Sequence, residues 1–514
     1  MFRRYLLAVL TTIFVTKATQ SQSISYSEPD RDDARTVSFD IAGKIDNHIL
    51  IVKNTATRSD YSISVFDTDM KLLDKVKLTF LPDRILSSDV LSYKNFFYLF
   101  YQYQRRNIIY CMAAKFNGDG KMMSDPVQLD TTAISYFSNN KIYTVINSED
   151  KKKIAIFKIN SRRDDNYKVT TVLFDESLNR IKKSELHIPM PDRNDFLTEF
   201  SVANNGTLIF ARAAGTNQNQ SISKITLITK KADDDSLSYA SIDITKVYLD
   251  DIRIKINNAN NRFLLISYYA NERRGNIEGL FCSMWDLSNL KELYNTNATF
   301  SEDFRANAKS EGSTRAALND FFLQDIVMRN DGGFVVVSES AYSSSRGGGY
   351  YNRWDYMYGS PYWTPADSYL YGSPYGYGYG FYPWGRPGYN MGQITRFYSD
   401  NIAVMSFDSS ATLEWANIIP KSQYDDNTDN FIGYGTLNTG SEVHFLFNEL
   451  EKRTLILNDQ SISGDGKVTR NPTLHNLDRG YDFMPHYAKQ VGSKELIVPC
   501  QYRNYVCFAR IVFD

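Results

Sequence analysis

The chain has 514 residues with 58 Lys and Arg against 59 Asp and Glu, a formal charge of −1, so no basic face for nucleic acid is implied. Hydrophobic residues make up 42% and aromatic residues 14%, enough for a large buried core, and the aromatic excess suits strands over helices. Four cysteines in so long a chain exclude a disulfide framework.

Residues 1–18 carry Arg3 and Arg4, an apolar stretch from Leu6 to Val15, and the small-residue region Thr16-Lys17-Ala18. This pattern predicts a secretory signal peptide, and the stretch is too short for a permanent transmembrane helix. No later apolar run is long enough to span a bilayer, and no cysteine near the cleavage region offers a lipid anchor. The expected mature protein is exported, periplasmic or extracellular, with no transmembrane span.

From residue 36 onward one signature recurs: an apolar run, an aromatic residue followed by Asp or Asn, then a second run. It appears as Phe66-Asp67, Phe116-Asn117-Gly118-Asp119-Gly120, Phe174-Asp175, Trp285-Asp286 and Phe407-Asp408. The aromatic ring packs a strand end while Asp, Asn and Gly make the turn. Repetition at this period predicts an all-β fold, a β-propeller of seven or eight four-stranded blades with eight preferred, spanning 36–514. An irregular β-sandwich assembly is the alternative. The last unit, Phe483 to Phe513, reads as three strands, and the segment 19–35, through Ile24 to Tyr26, is expected to supply the fourth and close the ring. Helix is expected only within Ser301 to Ala317.

The sixth unit is interrupted at 346–390 by a low-complexity stretch of Tyr, Gly, Pro and Trp. Twelve tyrosines fall between Tyr350 and Tyr389, and Leu370 is the one residue among Leu, Ile and Val. Such a composition can make neither regular strands nor an ordinary core and predicts a mobile projecting loop. Its large rings with polar handles suit recognition, which nominates Tyr350, Tyr351, Trp354, Tyr362, Trp363, Tyr375, Tyr377, Tyr379 and Trp384 as binding residues. A loosely packed tolerated insertion, or self-association through the rings, would explain the same composition.

Catalytic motifs are absent from the sequence: no G-x-S-x-G, H-E-x-x-H, Walker loop or G-x-G-x-x-G after a strand occurs. The histidines, including His444 and His486, lack metal-ligand spacing. Asp425, Asn427 and Asp429 alternate as calcium ligands do, but Asn430 and Thr436 stand where Gly and an acid belong, so a polar loop competes with a metal site. Paired carboxylates from different blades could meet at the central channel, which linear spacing does not show. Cys111 and Cys282 read as buried thiols within strands. Cys500 and Cys507 would stand opposite one another across a two-residue Arg503-Asn504 turn, close enough for a disulfide; two core thiols fit the same pattern. No cofactor is called for.

The Asn117-Gly118-Asp119-Gly120, Asn330-Asp331-Gly332-Gly333 and Ser463-Gly464-Asp465-Gly466-Lys467 turns, with the unit order, resemble exported bacterial β-propellers of the WD-repeat-like superfamily. The chain departs from true WD repeats in lacking their regular Gly-His and Trp-Asp pairs, although Trp285-Asp286 is one such pair. These observations support a non-catalytic envelope or secreted propeller that binds a protein partner or serves as a scaffold. A carbohydrate-binding or carbohydrate-cleaving propeller is the alternative.

Overall fold

The computed structural model describes residues 22–513 except 31–36, 56–59, 135–140, 165, 193–194, 216–220, 310–312, 346–348, 352–379, 382–394, 427, 452–453, 473 and 475–479. The described chain folds into eight antiparallel four-stranded blades. Their innermost strands are Val37–Ile45, Ser87–Ser92, Thr144–Asn147, Asp195–Val202, Tyr248–Asn257, Phe321–Met328, Gly435–Asn438 and, in blade 8, the pair Tyr481–Phe483 and Lys489–Gly492 split by a short 3-10 turn at Pro485–Tyr487. Blades 4 and 5 are joined into one continuous sheet through the Ile222–Leu249 pair. A seven-residue helix, Glu302–Ala308, and a 3-10 turn, Thr314–Ala316, lie between blades 5 and 6. Ser301 caps the helix by accepting a hydrogen bond from the Phe304 amide.

Middle strands are buried on both faces, which is why they read as unbroken apolar runs: Gly279–Asp286 is buried at every position but the last. Outer strands alternate instead, as in Arg180–Pro189 and Glu292–Thr299. Apolar clusters fill every interface between neighbouring blades, and the one between blades 3 and 4 holds two. Phe97, Phe116 and Val65 join blades 1 and 2, and Ile109, Ile156 and Phe174 join 2 and 3. Phe157, Phe200 and Phe210 join 3 and 4, while Ile225, Phe263 and Trp285 join 4 and 5. Tyr268, Phe334 and Phe407 join 5 and 6, Val404 and Phe445 join 6 and 7, and Leu446 and Val498 join 7 and 8. Phe39, Ile49 and Phe508 join 8 to 1 and complete the circle.

The recurring turns share one geometry. Asp67, Asn117, Asp175, Asp286 and Asp408 each accept backbone amide hydrogens two and three or four residues on through Oδ1. The turn closes through a residue in the left-handed region: Met70, Gly120, Leu178, Leu290 and Ala411. Four of these five are not glycine. Their side chains are anchored instead in the clusters between blades, so apolar burial offsets the backbone strain.

Ring closure falls to the N-terminal segment. Ser23–Tyr26 pairs antiparallel with the last strand, Tyr505–Val512, in the register Ser23–Val512 to Tyr26–Ala509. The strap extends both ways: Gln22 donates to the Asp459 carboxylate of blade 7 at 2.6 Å, and Asp30 accepts from Lys53 of blade 1 at 2.7 Å. Lys53 is buried and lies 5.2 Å from the centre of the Phe508 ring. One short segment therefore ties blades 7, 8 and 1.

Within the insertion, Gly349–Tyr351 pairs with Ser343–Ser345, and Gly380–Phe381 pairs with Phe39 and Asp40 of the innermost strand of blade 1. Composition argued against any strand in 346–390. The two pairings form because neighbouring strand edges offer unpaired backbone groups, which override local preference.

Burial pushes the Asp30 carboxyl up, but Lys53 and Lys75 together outweigh it and hold the group below its ordinary value. A depressed carboxylate stabilises the fold above its unfolded value and loses that contribution as pH falls through the folded value. Asp30→Asn is therefore expected to cost about 3 kcal/mol at pH 7, since it removes the carboxylate that faces the buried Lys53 ammonium. The gap from the parent should close below about pH 4. Denaturant unfolding of both proteins at pH 7 and pH 3 checks this, and a gap independent of pH would refute it.

Candidate functional site

Blade 6 carries the longest strands in the described chain, Thr395–Phe407 and Leu413–Asp426 with 13 and 14 residues, beside the 12-residue Phe334–Ser345. Bulges at Glu339/Ala341 and Asp400/Ile402 divide them into a portion within the ring and an arm beyond it. Register then sorts the arm's side chains. Tyr342, Tyr398 and Tyr424 stand in one cross-strand row, and Ser344, Arg396 and Asp426 form the row two residues further out on the same face. Ala341, Ser343, Phe397, Ser399 and Gln423 take the opposite face and are buried.

The tyrosine face is the more open of the two. Tyr342 and Tyr398 stack with centroids 4.5 Å apart, and Tyr424, 55% exposed, extends the row at 6.5 Å. The Arg396 guanidinium lies 4.4 Å from the Tyr424 ring centre and grips Asp426 through two hydrogen bonds of 2.7 and 3.0 Å. The result is a rigid strip of three phenol rings ending in a planar ion pair, at the root of the insertion.

A polar joint fixes the arm to the ring. Lys421 is fully buried and bridges Glu339 at 2.7 Å, the Ser399 hydroxyl at 2.6 Å, the Ser399 carbonyl at 2.9 Å and Gln423 at 2.9 Å. Ser399 donates to Glu339, and Tyr342 donates to Asp400. Gln423 carries the network on to the Asn448 carbonyl of blade 7 and receives the Gly433 amide. Burial lowers the Lys421 ammonium below its ordinary value, against the opposing pull of Glu339 and Asp400.

A second set of charged groups lies on the innermost strands beside the central channel. Bulges recur there in blades 1, 4, 5 and 6, and in blades 4 and 5 they bring acids out of the regular alternation. Glu199 sits in one bulge at φ 58°, and its carboxylate accepts the Ile254 amide at 2.9 Å. Arg253 of blade 5 binds Glu199 at 3.2 Å and Asp251 at 2.9 Å, so carboxylates from two blades share one guanidinium. Burial raises both carboxyls while Arg253 opposes the rise. In blade 1, burial pushes Asp40 up to about 7, with Lys489 of blade 8 opposing and Asp89 of blade 2 adding to the shift. Lys489 donates to the Ile41 carbonyl at 2.7 Å, and Lys141 pairs with Asp89 at 3.2 Å.

The sequence-derived candidates fall as follows. Tyr350 and Tyr351 lie on the short strand that lengthens the arm. Trp354, Tyr362, Trp363, Tyr375, Tyr377, Tyr379 and Trp384 lie outside the described residues. Asp425 is the penultimate residue of the outer strand of blade 6 and accepts the Thr428 hydroxyl at 2.8 Å; burial raises it to about 6, with that hydrogen bond opposing. Asp429 follows in the turn, and Asn427 lies outside the described residues. Among the described residues, no group of three or more His, Cys, Asp or Glu stands at metal-binding spacing. His444 is buried against Asp459 at 3.0 Å, and His486 is exposed on the 3-10 turn of blade 8. Sequence reading missed the Tyr342–Tyr398–Tyr424 row, Arg396, the Lys421 joint and the channel groups. Adjacent acids in an apolar strand, Asp250-Asp251, were the one linear hint of a bulge.

The fold defines the class: an all-β, multi-blade propeller. No family model matches the chain, and no curated protein matches it. Similar solved structures include the polysaccharide lyase Uly1, at 9% identity and a TM-score of 0.40, over 82% of this chain and 89% of that one. Prolyl oligopeptidase B from Galerina marginata is similar at 9% identity and a TM-score of 0.40, over 92% of this chain and 56% of that one. An ulvan lyase is similar at 8% identity and a TM-score of 0.36, over 82% and 90%.

Two outcomes follow from these charges. Lys421→Met should cost about 3–5 kcal/mol in denaturant unfolding by leaving buried Glu339 without its ammonium. The double variant Lys421→Met/Glu339→Leu should recover most of that loss; equal losses in both would show that packing, not charge, governs the joint. For Asp40 the sign is opposite to that of Asp30. Its raised folded value means the native state holds a proton that the unfolded chain has released, so its ionisation lowers stability as pH rises from about 4 through about 7. Asp40→Asn should flatten that part of the profile, and superimposable profiles of variant and parent between pH 4 and 8 would reject the assignment.

Proposed function

We propose that this protein is an exported binding propeller that holds a protein partner on the blade-6 arm and the tyrosine-rich insertion that the arm carries. The observation supporting this most directly is the Tyr342–Tyr398–Tyr424 row capped by Arg396. Tyrosine and arginine held rigid on a scaffold are the residue types that dominate interface energetics, because they bury large area with little ordering entropy. The Lys421 joint adds to the case: a polar network locks one face of the arm down and leaves the tyrosine face outward.

A carbohydrate ligand is the second reading, favoured by the flat stacked rings and by the convergence of Glu199 and Asp251 from two blades. Against a glycosidic acid-base pair stands Arg253, which occupies both carboxylates at once.

The test uses the full mature chain. Crosslinking and affinity capture should recover one defined protein whose measured affinity falls at least about tenfold with Tyr424→Ser or Arg396→Ala, both on the exposed face. Undiminished affinity in both variants would remove the arm from the interface. Binding to a glycan array that the same variants abolish, with no protein captured, would replace the partner by a sugar.

A further inference from the structure

We propose that Cys500 and Cys507 form a disulfide that staples the hairpin on which the ring closes. The two residues are direct cross-strand partners in blade 8, between Glu495–Tyr502 and Tyr505–Val512. The hairpin is set by the two-residue Arg503-Asn504 turn, with Arg503 in the left-handed region at φ 57° and Tyr502 opposite Tyr505. The sulfur atoms lie 3.0 Å apart, and both side chains are fully buried among Leu437, Leu496 and Val498. Small side-chain rotations bring sulfurs at this separation to bonding distance without moving the strands.

Neither remaining cysteine has this arrangement. Cys111 is buried between blades 2 and 3 and Cys282 between blades 5 and 6, so each belongs to a different interface. The location of the pair gives the bond its role. The strand bearing Cys507 is the one that receives the N-terminal strap: Ser27 donates to the Phe508 carbonyl at 2.8 Å, and Asp30 donates its backbone amide to Val506 at 3.1 Å. A crosslink between positions 500 and 507 keeps that strand in register while the strap is absent.

The chemistry is thiol–disulfide exchange with a disulfide donor, either a dithiol oxidase or glutathione disulfide. One cysteine thiolate attacks a donor sulfur, forming a mixed disulfide and releasing the first donor thiol. The second thiolate displaces the remaining donor sulfur, so the pair loses two electrons and two protons and the donor leaves as two thiols. In the folded chain burial holds the Cys500 thiol well above its ordinary value and keeps oxidants out. Bond formation therefore precedes docking of blade 8, and docking then shields the bond from small reductants.

The full chain, refolded with a glutathione redox couple or recovered from an oxidising compartment, is denatured without reductant and labelled with a maleimide. Two adducts are expected, on Cys111 and Cys282, rising to four after reduction. Trypsin cuts after Arg503, so the peptides 495–503 and 504–510 should travel as one linked species that separates on reduction. Four adducts before reduction, with both peptides free, would overturn the proposal. A second measurement reads the role of the bond: a reductant present during refolding should lower the unfolding midpoint of the parent and leave Cys500→Ala/Cys507→Ala unmoved. An equal drop in both would refute the staple.

Discussion

Closure is the constraint on which this molecule depends. Each blade buries apolar side chains against both neighbours, and apolar clusters fill all eight interfaces, so no blade is covered until the last has met the first. The chain solves this with a strand from its beginning laid on a strand from its end. Pairing of backbone groups supplies the direction, and the Asp30–Lys53 and Gln22–Asp459 contacts carry the grip to the two flanking blades. The same arrangement removes an exposed sheet edge at the seam.

Charge in the interior follows from this architecture. The ring packs apolar surfaces between blades and leaves the innermost strands and the blade-6 joint as places where polar groups must satisfy one another. Glu199, Arg253 and Asp251 do so across blades 4 and 5, and Lys421, Glu339 and Ser399 do so within blade 6. A buried pair of this kind contributes little net stability over an apolar replacement, yet losing one partner is costly. Such groups therefore specify geometry, here the tilt of inner strands at their bulges and the pose of the arm. The arm's exposed tyrosine face inherits its rigidity from that joint, which links the packing of blade 6 to the surface proposed to meet a partner.

Much of the fold was legible in the residues because turn chemistry is local. An Asp or Asn followed two to four residues later by amide donors makes its turn regardless of what surrounds it, so Asp67, Asn117, Asp175, Asp286 and Asp408 mark hairpins in any context. Strand burial was legible for a related reason: middle strands covered on both faces read as continuous apolar runs and outer strands as alternations. The candidate site was much less legible. Tyr342, Tyr398 and Tyr424 are dispersed over more than eighty positions and form a row through cross-strand register alone. The same holds for Glu199 and Asp251, which share Arg253 because bulges in two strands turn them toward one guanidinium.

By itself the sequence determined the class of element, the repeat, the turn positions and the interruption of the sixth blade, since all of these rest on interactions spanning a few residues. It also set the opposition of Cys500 and Cys507, separated by one short turn. Tertiary structure alone decided which charges meet, how Lys421 is caged, where the insertion finds backbone partners and which side chains of the flanking blades the N-terminal strap grips. Those outcomes depend on contacts between residues as far apart as Gln22 and Asp459, whose approach costs chain entropy that only the completed ring of apolar interfaces can offset.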